Sequence, residues 1–175
     1  NGELYRKIRN TARFLLANID GLEKLVEVEK LGVLDKWILE KAKRVFDEIE
    51  SSFKIYEFSK GLNRLNNFLV VDLSGIYLDV CKDRLYCDDK NDIHRTASQT
   101  AMAMITKKLI STLASILTYT MDELLEFAPK IIKGDAKDIF DFDHLKDTTI
   151  LKNELLNAIN EDKVDISLLY KIYQS

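Results

Sequence analysis

The sequence predicts an all-α protein, an antiparallel bundle of about five long or medium helices with a small C-terminal helical extension. The 175 residues include only one proline and six glycines, which favours long helices over turns. Apolar residues make up 46% of the chain, enough to fill a core. They recur three and four positions apart, as on one face of an α-helix. We predict a bundle over residues 1–128, and an irregular acidic strap with short C-terminal helices, packed on the bundle, over 129–175.

The first two helices are predicted over residues 3–18 and 34–56. Gly21 follows the first helix closely, and a glycine there is typical of a left-handed helix stop. The second helix carries Trp37 on its apolar stripe. A tryptophan in such a stripe is more often part of the core than a platform for a ligand, so we expect Trp37 to be buried.

A third long helix is predicted over residues 58–86, as the spine of the bundle. Its apolar residues have the spacing of one helix face. They are Leu62, Leu65, Leu69, Leu73, Ile76 and Val80. We expect a common core made of Trp37, Leu69, Leu73, Ile76 and Leu113.

A loop over residues 87–92 leads to a fourth helix, predicted over 93–119. Thr120 and Glu123 have the spacing of a capping box, which predicts the start of a fifth helix over residues 121–127. That helix should end before Pro129. Beyond it, residues 139–142 alternate as in a short strand or a strap over the bundle. Two further helices are predicted over 148–160 and 164–173.

Four stretches of the chain resemble one known family. Residues 72–86 read Asp-Leu-Ser-Gly-Ile-Tyr-Leu-Asp-Val-Cys-Lys-Asp-Arg-Leu-Tyr. They resemble a signature of the anticodon-binding domain of isoleucyl-tRNA synthetases, Asp-Leu-Ser-x-x-Tyr-Leu-Asp-x-x-Lys-Asp-Arg-Leu-Tyr. Residues 5–16, 34–39 and 95–101 resemble three other stretches of that domain, in the same order. The resemblance covers about residues 4–127, and it departs from the family at Thr118 and Leu125, where the family has proline and tryptophan.

The resemblance implies a function in tRNA binding. The chain would contact the anticodon stem and loop of tRNA(Ile), within an enzyme that joins isoleucine to this tRNA. ATP and magnesium would be used by a catalytic domain upstream, so we expect no catalytic residue, cofactor or metal in this chain. The expected partners are that catalytic domain and the tRNA, and the expected protein is a cytoplasmic monomer without a membrane segment.

The first group of candidate RNA-binding residues is Arg6, Arg9 and Arg13. They recur three and four positions apart, so they share one face of the first helix. Glu3 is their only acidic neighbour along that helix, and a guanidinium fork suits phosphate. From the residues alone, a solvated face and a phosphate contact are equally well supported. The resemblance favours RNA.

The second group lies at the end of the third helix and just beyond the loop. Its members are Lys82, Arg84, Tyr86 and Arg95. A tyrosine there can stack on an unpaired base, and the cations can contact phosphates or base edges. Two alternatives stay open. Arg84 could instead pair with Asp79 or Asp83, and Tyr86 could pack on the bundle with only its hydroxyl in water.

Several other sites and functions find no support in the sequence. The net charge of −3 gives no general case for nucleic-acid binding, so that case depends on local patches. Phosphate-binding glycine loops and the synthetase signatures His-Ile-Gly-His and Lys-Met-Ser-Lys-Ser are absent from the 175 residues. Cys81 and Cys87 lack zinc-site spacing, and His94 and His144 are expected at the surface.

Two rival functions stay open at this point. The first is the corresponding domain of a valyl- or leucyl-tRNA synthetase, which shares the bundle; residues 5–11 favour isoleucine. The second is a helical protein-interaction module without RNA binding, which suits the acidic net charge. The dependence of tRNA affinity on salt separates the second rival from an RNA-binding domain.

Overall fold

A computed structural model describes residues 2–87, 89 and 92–140, and these form helices without any strand. This confirms the all-α fold. The helices are α1 (Gly2–Asn18), α2 (Val33–Lys54), α3 (Phe58–Asn67), a π-helix (Phe68–Leu78), α4 (Asp79–Cys87), α5 (Ile93–Leu113), α6 (Thr118–Glu126) and α7 (Lys130–Lys133), with a short 3-10 turn at Val28–Lys30. Backbone angles stay helical through the junctions of α3, the π-helix and α4, so these three form one long helix.

The centre of the bundle is α5. Every residue from 97 to 106 is buried, whereas each of the other long helices keeps an exposed face. Small side chains, Ala97, Ser98, Ala101 and Ala103, let neighbouring helices approach α5 from all sides. A helix buried all round belongs inside the fold. Our assignment of the central position to the helix over residues 58–86 was therefore wrong.

The π-helix changes which residues of the long helix face the core. Leu65, Leu69 and Leu73 are buried as predicted, but the next buried positions are Tyr77, Leu78 and Cys81. The predicted inward residues Ile76 and Val80 are only half-buried. A π-turn closes its hydrogen bonds five residues apart, so it holds more residues than an α-turn and rotates the face that follows. Of the other residues expected in the common core, Leu113 is buried, whereas Trp37 is only half-buried and packs against the edge of the core.

Gly75 lies inside the π-helix, and its backbone passes close to a carbonyl. A Cβ atom at this position would lie 2.9 Å from the carbonyl oxygen of Val70, five residues earlier. That distance is too short for a normal contact. The glycine therefore suits the wide turn that the π-helix makes here.

Two predicted helix ends agree with the structure. Gly21 has φ 84°, which is the left-handed conformation expected after α1. The break predicted near residue 57 lies between α2 and α3. There Tyr56 has φ 61°, and its side chain is 81% exposed.

The predicted capping box at Thr120 is wrong. α5 already ends at Leu113 and α6 begins at Thr118, so Thr120 lies inside α6. The turn between them is held by the Thr118 hydroxyl, which donates to the Ala114 carbonyl at 2.7 Å. Thr120 donates instead to the Tyr5 hydroxyl at 2.8 Å, and Glu123 pairs with arginines of α1. Both residues are used for contacts between helices.

The described part of the segment after α6 buries two isoleucine side chains, Ile132 and Ile139, in the core. Within the stretch predicted to be irregular, residues 130–133 form α7. The Ile139 side chain is 2% exposed, and its N–H donates to Asp122 Oδ1 at 2.9 Å, whereas Phe140 is 84% exposed. These two residues agree with the predicted alternation and are not in a strand, whereas residues 141–142 lie outside the described residues. The helices predicted over 148–160 and 164–173 lie outside the described residues, and the domain boundary after residue 128 stays a prediction.

Candidate nucleic-acid interface

The arginines of α1 lie on one face, as their spacing predicted, but they differ in their surroundings. Arg6 is exposed, and no other described residue forms an ion pair with it. Arg9 and Arg13 both donate to one atom, Oε1 of Glu123 in α6, over 2.5 and 3.0 Å. The Arg9 side chain is half-buried and the Arg13 side chain is 55% exposed. The structure therefore presents one open guanidinium and two that share a carboxylate.

Our inference that these arginines lack acidic partners was wrong for two of them. Glu3, the neighbour seen in the sequence, pairs with Lys7 at 3.5 Å. Glu123 was missed because it is distant in the sequence, 114 residues from Arg9. The hydrogen bond from Arg9, and then the charges of both arginines, lower the pKa of the Glu123 carboxyl.

The α1 face still carries a net positive charge. Three guanidinium groups face one carboxylate, and each guanidinium has five N–H donors. Glu123 accepts one hydrogen bond from Arg9 and one from Arg13, so both keep donors for a second anion. Beside Arg13 lies an open groove of about 580 Å³ between α1 and the end of α6. Phe127, which is 74% exposed, lines it.

The second candidate group gathers where α4 ends and α5 begins. Lys82 is exposed and pairs with Asp79 at 2.9 Å. Arg84 is half-buried, and its Nη1 donates to Ser98 Oγ of α5 at 3.4 Å, rather than to Asp79 or Asp83. Arg95 is half-buried one turn before Ser98, so it lies on the same side of α5 as this contact.

Tyr86 projects from this end of the bundle. Its side chain is 71% exposed, which contradicts the alternative that it packs on the bundle with only its hydroxyl in water. An exposed ring beside cations is an arrangement that can stack an unpaired base. We call Lys82, Arg84, Tyr86 and Arg95 the tip.

A buried polar network lies directly behind the tip. Asp35, at the start of α2, is fully buried. Its Oδ2 accepts from the Gly32 N–H at 3.0 Å, and its Oδ1 accepts from the hydroxyls of Tyr77 at 2.6 Å and Ser98 at 3.1 Å. A buried carboxylate must be hydrogen-bonded in this way to remain stable.

Two side chains in this buried region have raised pKa values. Burial first, and then the charge of Asp35, raise the pKa of the Tyr77 hydroxyl well above its ordinary value. Burial also raises the pKa of the Cys81 thiol, whose sulfur lies 3.8 Å from Ser98 Oγ. Tyr77 therefore remains a hydrogen-bond donor at neutral pH.

Sequence reasoning missed Asp35 and Ser98. The available signal was an aspartate three residues after Gly32, at the start of a helix, where a side chain can accept from a free backbone N–H. Nothing in the sequence joins that aspartate to Tyr77 or Ser98.

The described residues show neither a metal site nor a membrane span. No three His, Cys, Asp or Glu side chains among them lie close enough to hold an ion. None of the helices in the described ranges combines the length and the apolar character needed to cross a bilayer. His94 is exposed, as predicted, and His144 lies outside the described residues.

Comparison with known proteins agrees with the resemblance noted above. Residues 35–174 match the family described as the anticodon-binding domain of tRNA ligase. The isoleucine–tRNA ligase of Aliarcobacter butzleri is 68% identical over 97% of this chain and 20% of its own length. Those of Nitratiruptor and Campylobacter concisus are 60% and 57% identical, over 80% and 91% of this chain.

This chain corresponds to a small part of those relatives. It covers 20%, 15% and 17% of their respective lengths. The family match covers most of the chain, and the helical fold agrees with it. The chain belongs to the family of anticodon-binding domains of tRNA ligases.

Proposed function

We propose that this chain binds tRNA(Ile) at the anticodon stem and loop, as part of an isoleucine–tRNA ligase. Family membership supports tRNA binding. The choice of isoleucine rests on relatives that carry this name at 57–68% identity. None of the three relatives reported above carries the valyl or leucyl name. Family membership disfavours a protein-interaction module without RNA binding.

The parent enzyme would use ATP and magnesium to join isoleucine to the tRNA in a catalytic part outside this chain. The chain itself would position the tRNA, and that catalytic part would be its protein partner. The monomeric state and the cytoplasmic location stay predictions.

The observation that carries the proposal is the net positive face of α1. Arg6 is open, and Arg9 and Arg13 keep free N–H donors beside Glu123. Such a face suits phosphates, which fix the register of a nucleic acid without reading its sequence. The tip supplies Tyr86 and Arg84 for unpaired bases of a loop.

A competition experiment tests the choice of tRNA. Labelled tRNA(Ile) bound to the chain is displaced by unlabelled tRNA(Ile), tRNA(Val) or tRNA(Leu), and fluorescence anisotropy reports displacement. We expect tRNA(Ile) to compete best. Equal competition by all three would contradict a role in selecting tRNA(Ile), and absence of any binding would contradict the tRNA-binding function.

A further inference from the structure

We propose that Ser98 is a positioning residue that holds the Arg84 guanidinium in place for RNA. The inference rests on the proposed function, because it assumes that Arg84 contacts tRNA. Ser98 is fully buried in α5, and Arg84 Nη1 lies 3.4 Å from its oxygen. This hydrogen bond links Arg84, at the tip, directly to the buried network.

The direction of the Ser98 hydroxyl is fixed by Asp35. A hydroxyl has one proton and two lone pairs, and an ionised carboxylate only accepts. At 3.1 Å from Asp35 Oδ1, the Ser98 hydroxyl must therefore give its proton to that oxygen. Its lone pairs are then left for Arg84 and for the more distant Cys81 thiol, 3.8 Å away.

Asp35 is itself held by Tyr77. The Tyr77 hydroxyl donates to the same Oδ1 at 2.6 Å, and both side chains are fully buried. Tyr77 reaches that position because the π-helix turns it inward in place of Ile76.

The result is a guanidinium anchored on one side and open on the other. Ser98 uses one of the five N–H donors of Arg84, and the half-exposed side chain keeps the others for a phosphate or a base edge. An arginine loses much side-chain freedom when it binds. A group already held in position loses less of it, so binding is tighter.

A double-mutant cycle tests this inference. The variants are Ser98→Ala, Arg84→Ala and the double variant, and the readout is the dissociation constant for tRNA(Ile) at several salt concentrations. The matched control is Thr106→Val, which also deletes a buried hydroxyl of α5, one that donates to the Met102 carbonyl at 2.7 Å.

We expect Ser98→Ala to weaken binding about three- to tenfold, as when one ordered side chain becomes free. It should leave the salt dependence unchanged, since the charge of Arg84 remains. In the Arg84→Ala background it should have no further effect, and Thr106→Val should leave affinity unchanged.

Three results would overturn the inference. The first is unchanged tRNA affinity in Ser98→Ala. The second is that Ser98→Ala weakens tRNA binding by the same factor whether residue 84 is arginine or alanine. The third is unchanged tRNA affinity in Arg84→Ala. Each leaves the tRNA-binding function intact, since that depends on binding by the unmodified chain.

If circular dichroism shows that Ser98→Ala does not fold, Arg84→Lys replaces it. This variant keeps the charge and loses the fork, so we expect weaker binding at the same salt dependence. Unchanged affinity in Arg84→Lys would also overturn the inference.

Discussion

Tyr77 of the π-helix donates a 2.6 Å hydrogen bond to Asp35 of α2, and both side chains are fully buried. The bond joins two helices through residues that are 42 positions apart in the sequence. A carboxylate inside a protein depends on such donors, because without them it loses the hydration that it has in water.

Removing the Tyr77 hydroxyl should destabilise the fold. We expect Tyr77→Phe to lower the free energy of unfolding by about 1–3 kcal/mol, since it takes one donor from a buried charge. Urea unfolding measures the change. Tyr86→Phe is the control, because the exposed Tyr86 hydroxyl should contribute less than about 0.5 kcal/mol. Equal effects of the two substitutions would contradict the role given to Tyr77.

Gly75→Ala should be destabilising, although this substitution at an exposed position of an α-helix normally stabilises by about 0.5–1 kcal/mol. The reason is the carbonyl oxygen of Val70, which would lie 2.9 Å from the new Cβ atom. Thermal unfolding measures the change. Gly2→Ala in α1 is the control, since a Cβ atom there meets no atom within 4 Å. A stabilised Gly75→Ala variant would show that the π-turn is not maintained.

Glu123 should stabilise the fold at neutral pH and less so in acid. The pKa of Glu123 is lower in the folded chain than in the unfolded chain, where it is about 4.3. Its contribution to the free energy of unfolding is therefore complete above the unfolded pKa. That contribution is lost as the pH falls through the lowered folded-state pKa. We expect Glu123→Gln to unfold at lower urea concentration than the unmodified chain at pH 7, and the gap to be smaller at pH 3. Glu126→Gln, an exposed change on the same helix, should show little difference at either pH. A Glu123→Gln gap of equal size at both pH values would contradict the ion pairs with Arg9 and Arg13.

The Cys81 thiol should resist alkylation while the chain is folded. It is fully buried, and burial raises its pKa, so little thiolate is available to react. Iodoacetamide at pH 8, followed by peptide mapping, should label Cys81 only once urea unfolds the chain. Labelling of Cys81 at the same rate with and without urea would contradict its burial.

The sequence predicted most of the helices, because apolar spacing depends on local periodicity. Helices α1, α2 and the long helix from Phe58 to Cys87 begin and end within two residues of the predicted limits. The inward face was predicted correctly from Leu65 to Leu73. It failed after that residue because the π-turn brings Tyr77 to Asp35, a partner that periodicity does not reveal.

The candidate site was predicted less completely. Spacing along one helix placed Arg6, Arg9 and Arg13 on one face, and the structure agrees. The partner Glu123 could not be found in this way, because its distance from Arg9 in the sequence is 114 residues. Glu123 also had a local explanation as part of a capping box, and that explanation concealed its tertiary role.

The most direct test of the account is the salt dependence of tRNA(Ile) binding, with Arg6→Ala compared with Lys54→Ala. Both residues are exposed, but Lys54 lies at the end of α2, outside the proposed interface. We predict that log affinity falls linearly with log salt, that Arg6→Ala lowers the slope by about one, and that Lys54→Ala leaves it unchanged. Binding that does not depend on salt, or equal slopes for the two variants, would contradict the assignment of the α1 face to tRNA.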